Sequence, residues 1–142
     1  SQTELDDYST AIDKSQACKI LILTHDVDRL IQLAQDEFGK DSYHIIRGSP
    51  DPFFVEFLNP GVCKGSGLEK LCTAINIPLE CVVAFGDGDN DKEMLKTVGH
   101  GVAMKNARDI TKICANKVLD LTNDEDGVAC YIEELMTAGA FS

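Results

Sequence analysis

An α/β fold, with helices packed on a parallel sheet, is what this sequence predicts, and three observations carry it. Beyond Asn59-Pro60-Gly61, short apolar runs alternate strictly with amphipathic stretches of helical period. That is the pattern of right-handed βαβ units. The run from Cys81 to Phe85 is almost continuously apolar, as a strand buried on both faces of a parallel sheet is. A cluster of aspartates and glycines follows it directly, at the strand end where open α/β sheets bind ligands.

Taken in order, Ser1 to Ser15 is polar with weak periodicity and reads as a loop or the remnant of a helix. Cys18 to Thr24 is short, apolar and partly β-branched, and predicts a buried strand. From Asp26 to Phe38, Val27, Leu30, Ile31 and Ala34 recur at helical spacing, and Gly39 ends the helix. Tyr43 to Arg47 is a second strand, Gly48 to Pro52 a turn, and Phe53 to Leu58 a third strand. The Asn-Pro-Gly break then divides the chain into residues 1–59 and 60–142. In the second part, a helix from Leu68 to Ile77 places Leu68, Leu71, Cys72 and Ile75 on one face. The strand Cys81–Phe85, a helix Asp91–Val98, a strand Gly101–Met104 and a helix Ala107–Ala115 follow. A short strand Val118–Leu121 and an amphipathic helix Val128–Met136 close the pattern.

Of the 142 residues, 44% are hydrophobic and 26% charged, the balance of a globular protein that buries a core. No apolar stretch reaches the ~18 residues of a membrane helix, so no membrane partner is expected. The polar, acidic start does not resemble a secretory signal. A net charge of −11 repels phosphate backbones and argues against nucleic acid as a partner. None of the six cysteines forms a C-x-x-C pair, which argues against structural zinc. Scattered thiols of this kind are expected to be small core residues in a reducing compartment, here the cytoplasm.

The most informative segment is Val82-Val-Ala-Phe-Gly-Asp-Gly-Asp-Asn-Asp91. An apolar strand delivers three carboxylates and an amide to one place. Gly86 and Gly88 are read as letting the backbone turn and approach a ligand. Asp87, first after the strand, is best placed to bind Mg²⁺, which takes one or two carboxylates with water and phosphate oxygens. Asn90 can donate its amide to a phosphate oxygen. The plainer alternative is a helix capped by Asn90 or Asp91, but three carboxylates so close repel one another unless a cation holds them. An EF-hand loop is excluded, because Lys92 and Val98 stand where glycine and glutamate are required. Upstream, Lys64 lies in the glycine-rich Gly61-Val-Cys-Lys-Gly-Ser-Gly67, read as a loop just before a helix. There it can neutralise a phosphate, although a lone lysine is more often merely solvated. A P-loop is excluded because this lysine precedes the glycines.

Together these segments resemble the Cof-type phosphatases of the haloacid dehalogenase superfamily, whose larger α/β cap lies between two halves of the core. Lys64-Gly-Ser-Gly-Leu68 matches the family's K-G-x-x-L, and Gly86-Asp-Gly-Asp-Asn-Asp91 its G-D-x-x-N-D. Gly101-Val-Ala-Met-Lys-Asn-Ala107 matches G-V-A-M-x-N-A, and Asn123-Asp-Glu-Asp-Gly-Val128 matches N-D-x-D-G-V. The resemblance implies half of a Rossmann-like core over residues 60–142 and the second half of an α/β cap over residues 1–59. It implies that Asp87 ligates Mg²⁺, that Lys64 and Asn90 contact the transferring phosphoryl group, and that Asp91 holds Lys64. The implied reaction is hydrolysis of small phosphorylated metabolites, such as sugar phosphates, through an aspartyl-phosphate.

The family's nucleophile lies in D-x-D-G-T, which this sequence does not contain. Asp26-Val-Asp28 mimics it after a strand, but Arg29-Leu30 follows in place of Gly-Thr, and too few residues separate it from Lys64. Asp26 and Asp28 are better read as the acidic first turn of a helix. The chain is therefore expected to be inactive alone, its nucleophile lying in a missing N-terminal segment of the same protein. The alternative is a non-catalytic phosphate- or metal-binding module. A receiver-type phosphoacceptor domain has its acidic pocket and lysine in the opposite order. A half-core exposes a sheet edge, which favours pairing with that missing segment or with a second copy of the chain.

Overall fold

The computed structural model describes residues 18–48 and 53–140. The polar segment 1–15 and most of the turn expected at 48–52 lie outside them. The chain divides into two compact units, one ending at Pro60 and the next beginning at Gly61.

The first unit is a βαββ unit: β1 (Lys19–Leu23), α1 (Val27–Phe38), β2 (His44–Arg47) and β3 (Phe54–Leu58). The strands form an antiparallel sheet in the order β1-β3-β2. Period-2 alternation sends Val55 and Phe57 to one face, where they are buried. Helix α1 covers that face with Val27, Leu30, Ile31 and Ala34. Asp26 caps α1 by accepting from the Arg29 amide at 3.2 Å, and Asp28 pairs with Arg47 across to β2 at 2.6 Å. Both acids serve the helix start, as their sequence context predicts. Strand β1, however, is not buried: Ile20, Leu21 and Leu23 are about half exposed or more. Among the described residues it is an edge strand paired with β3 alone, and α1 covers one face of the sheet. An apolar run reports hydrophobicity, not how many neighbours the strand will have.

The second unit is a three-stranded parallel sheet, β4 (Val83–Gly86), β5 (His100–Ala103) and β6 (Lys117–Val118), in the order β4-β5-β6. Helices α2 (Lys64–Ile75), α3 (Lys92–Thr97), α4 (Asp109–Cys114) and α5 (Gly127–Thr137) accompany it. The predicted alternation and α/β class are present. Val102 and Ala103 on the central strand are fully buried, packed in one cluster with Leu95, Val98, Met104, Leu119 and Tyr131. Gly101 lets β5 lie against α3, because a Cβ there would strike the Leu95 carbonyl.

Two expectations change. Helix α2 begins at Lys64, a full turn before Leu68, so the glycine-rich segment is largely helix and not loop. Cys63 starts it: its thiol accepts from the Ser66 amide at 3.4 Å, and the Ser66 hydroxyl accepts from the Cys63 amide at 3.2 Å. Gly65 lies against the Glu93 backbone, which repays the weak helix propensity of glycine with close packing. The cysteines also divide. Cys72 and Cys114 are buried, whereas Cys18, Cys81 and Cys130 are exposed. Cys81 falls in a 3₁₀ turn, Leu79–Cys81, and β4 starts only at Val83.

Candidate active site

Strand β4 runs apolar through the sheet and ends at Gly86, and the chain passes directly into Asp87 and Gly88. A 3₁₀ turn, Asp89–Asp91, then leads into α3. The turn brings Asp91 back beneath the strand end. Its side chain is 3% exposed, and one carboxylate oxygen accepts from the amides of Asp87 at 2.9 Å and Gly88 at 3.0 Å. The other oxygen meets the Lys64 ammonium at the start of α2. Two elements distant in sequence are thus tied to the β4 terminus by one buried carboxylate. A buried charge is tolerable only with such partners, and Asp91 has a cation and two N–H donors.

The glycines are there for space, not for turning. Gly88 has an ordinary φ of −101°, and Gly86 is not among the residues with positive φ. A Cβ on Gly86 would lie 2.5 Å from the Asp91 Cβ, and one on Gly88 would lie 2.8 Å from the Asn90 Oδ1. Both glycines make room for the side chains of the turn that follows.

The expected crowding of three carboxylates is resolved without bringing them together. Asp89 pairs with Arg108 at 3.0 Å and Asp91 with Lys64. Among the described residues, no group of three or more His, Cys, Asp or Glu side chains converges as a closed metal cage would require. Asp87 is exposed, and its carboxylate makes no hydrogen bond or ion pair among the described residues. Asn90 is half-buried beside it. This donor set fits Mg²⁺, which commonly takes one or two protein carboxylates and fills its remaining positions with water and phosphate oxygens. Asp26 and Asp28 belong to the other unit, at the α1 start.

The first turn of α4 also reaches the site, which sequence reading missed. The Arg108 amide donates to the Asp87 carbonyl at 3.1 Å, and the Thr111 hydroxyl donates to the Gly88 carbonyl at 2.9 Å. Neither residue is near the loop in sequence, so periodicity carries no trace of them.

The sequence and its fold have counterparts among known proteins. The profile of the haloacid dehalogenase-like hydrolases matches residues 1–132. The chain belongs to the haloacid dehalogenase-like hydrolase family. A 5-amino-6-(5-phospho-D-ribitylamino)uracil phosphatase of Bacillus subtilis is 45% identical over 80 residues, 56% of this chain and 29% of that protein. A haloacid dehalogenase-like hydrolase structure from B. subtilis superposes with a TM-score of 0.73 at 32% identity, over 89% of this chain and 45% of that one. Another from Bacteroides thetaiotaomicron gives 0.71 at 38% identity, over 94% and 49%. The chain therefore spans less than half of these family members. Its G-D-x-x-N-D segment is the loop that Asp91 organises, and its K-G-x-x-L segment is the first turn of α2.

Proposed function

We propose that this chain supplies the metal-binding and phosphate-binding half of a Mg²⁺-dependent phosphate monoester hydrolase, acting on small phosphorylated metabolites such as sugar phosphates. The observation that carries the reading is the Asp91 carboxylate, buried and shared between Lys64 and the Asp87–Gly88 backbone. It holds a cation and a free carboxylate at one strand end, which is what a phosphoryl group with a divalent ion needs. Phosphatase names among the family members matched support the reaction class.

In this reading Asp87 ligates Mg²⁺, which when bound offsets the negative charge of the phosphoryl oxygens. Lys64 contacts one of those oxygens, and the Asn90 amide donates to the same group. Asp91 fixes where the Lys64 ammonium sits. Phosphoryl transfer draws most of its catalysis from such positioning and charge neutralisation. The nucleophilic aspartate that would form the aspartyl-phosphate comes from a D-x-D-G-T segment outside these 142 residues.

The test is hydrolysis of an aryl phosphate with and without Mg²⁺. The 142-residue chain alone is expected to show no turnover. A version extended to include a D-x-D-G-T segment is expected to turn over, and Asp87→Ala and Lys64→Ala should each abolish most of that activity. Asp28→Ala should change it little. Activity in the short chain that vanishes with Asp28→Ala would make Asp28 the nucleophile and overturn the assignment. An extended protein that binds phosphate but never turns over would favour the non-catalytic module.

A further inference from the structure

Four helical threonines fall among the described residues, and three behave alike. Thr73, Thr97 and Thr137 each donate the hydroxyl to the carbonyl four residues back in their own helix, at 2.8 Å. Thr111, in the first turn of α4, does not. It is fully buried, and its hydroxyl leaves the helix to donate to the Gly88 carbonyl at 2.9 Å.

That bond completes a pattern. Asp87 and Gly88 have four backbone polar groups between them, and all four are held. Asp91 takes the two amides, at 2.9 and 3.0 Å. The Arg108 amide donates to the Asp87 carbonyl at 3.1 Å, and the Gly88 carbonyl accepts from both the Asp91 amide, at 3.0 Å, and the Thr111 hydroxyl. A loop between a strand and a turn would ordinarily leave such groups to water. Here the backbone is clamped from two sides while the Asp87 carboxylate is left exposed. The peptide planes on both sides of the Asp87 Cα are held by Asp91 and Arg108, and Thr111 holds the next plane, Gly88–Asp89, so that the whole turn is fixed behind the Asp87 side chain.

We propose that Thr111 is a positioning residue for metal binding at Asp87: its hydroxyl, from outside the Gly86–Asp91 segment, holds the Gly88–Asp89 peptide so that the Asp87 carboxylate stands ready for a divalent cation. The inference rests on the reading of Asp87 as the metal ligand. Groups that orient a ligand from behind commonly change metal affinity by about ten- to a hundredfold. Thr111→Val keeps the buried volume and removes the donor, leaving the Gly88 carbonyl with the Asp91 amide alone. Thr111→Ser keeps the donor.

The experiment uses the 142-residue chain and Mn²⁺ as a paramagnetic probe, followed by broadening of the Gly86 to Asn90 amide signals. Wild type should broaden there, and Asp87→Ala should abolish the effect. Thr111→Val should raise the Mn²⁺ concentration required by about tenfold, with Thr111→Ser restoring most of the affinity. If Thr111→Val does not fold, Thr111→Ala removes the same donor without setting a methyl group against the Gly88 carbonyl. A Thr111→Val or Thr111→Ala protein that is less stable but binds Mn²⁺ as wild type does would leave Asp87 as the ligand and overturn the positioning role. Broadening that is absent in wild type, or survives Asp87→Ala, would overturn the metal reading and this inference with it.

Discussion

Asp91 carries more of the site than its position in the motif suggests. The residue is 3% exposed, and its carboxylate is shared between Lys64 and two backbone amides. Asp91→Ala would leave the Asp87 and Gly88 amides without their acceptor and strip Lys64 of its partner. Each buried group left unsatisfied costs about 1–3 kcal/mol, and Lys64, half exposed, recovers most of its loss from water. We expect Asp91→Ala to destabilise the second unit by about 3 kcal/mol, measured by urea denaturation. Lys64→Met should cost clearly less, since the Asp91 carboxylate keeps both N–H donors. Equal losses in the two variants would show that the ion pair, and not the backbone clamp, is what Asp91 contributes to stability.

Between elements, short polar turns set where the helices begin. Helix α5 is preceded by a 3₁₀ turn, Asn123–Glu125, in which the Glu125 carboxylate accepts from the Thr122 amide at 2.9 Å and hydroxyl at 3.0 Å. The amide bond most of all, then the hydroxyl bond and the Lys105 charge, lower the Glu125 pKa from its ordinary 4.5, with burial a small opposing effect. A carboxylate whose folded pKa is depressed stabilises the fold above its unfolded value, and that contribution is lost as pH falls through the folded value. Wild type should therefore lose stability on acidification below about pH 5 more steeply than Glu125→Gln does. Thermal unfolding of both proteins across that range tests it, and parallel curves would show that the capping bond is not formed. The same logic explains α2, whose start at Cys63 was illegible because a cysteine seldom announces a helix cap.

For the molecule as a whole, the two units have separate cores. That of the second is built from β4, β5, α3 and their neighbours without a residue of the first. Residues 61–142 are expected to fold cooperatively as a separate polypeptide, with dispersed amide signals and a single unfolding transition. The first unit, among the described residues a three-stranded sheet with one helix, has the smaller core there and falls in the size range where stability is marginal. Its half-exposed Ile20, Leu33 and Phe38 line an apolar groove of about 470 Å³ together with the buried Phe57. A disordered spectrum for residues 61–142 beside a dispersed one for the 142-residue chain would mean that the second unit depends on the first.

Local signals in the sequence were enough to determine the elements and their class. Apolar runs of strand length, helical spacing and the Asn59-Pro60-Gly61 break depend on near neighbours in the chain, and the strands and helices formed close to where those signals lay. The motif pair Lys64-Gly and Gly86-Asp87 was legible for the same reason: each is a contiguous string. Tertiary structure alone decided how these strings are wired. It made β1 an edge strand among the described residues, turned Asp89 to Arg108 and Asp91 to Lys64 while leaving Asp87 exposed, and brought Arg108 and Thr111 at the start of α4 against the β4 terminus. Those outcomes depend on which elements become neighbours after β5 is inserted between β4 and β6, and a contact made across a sheet leaves no periodicity in the chain that makes it.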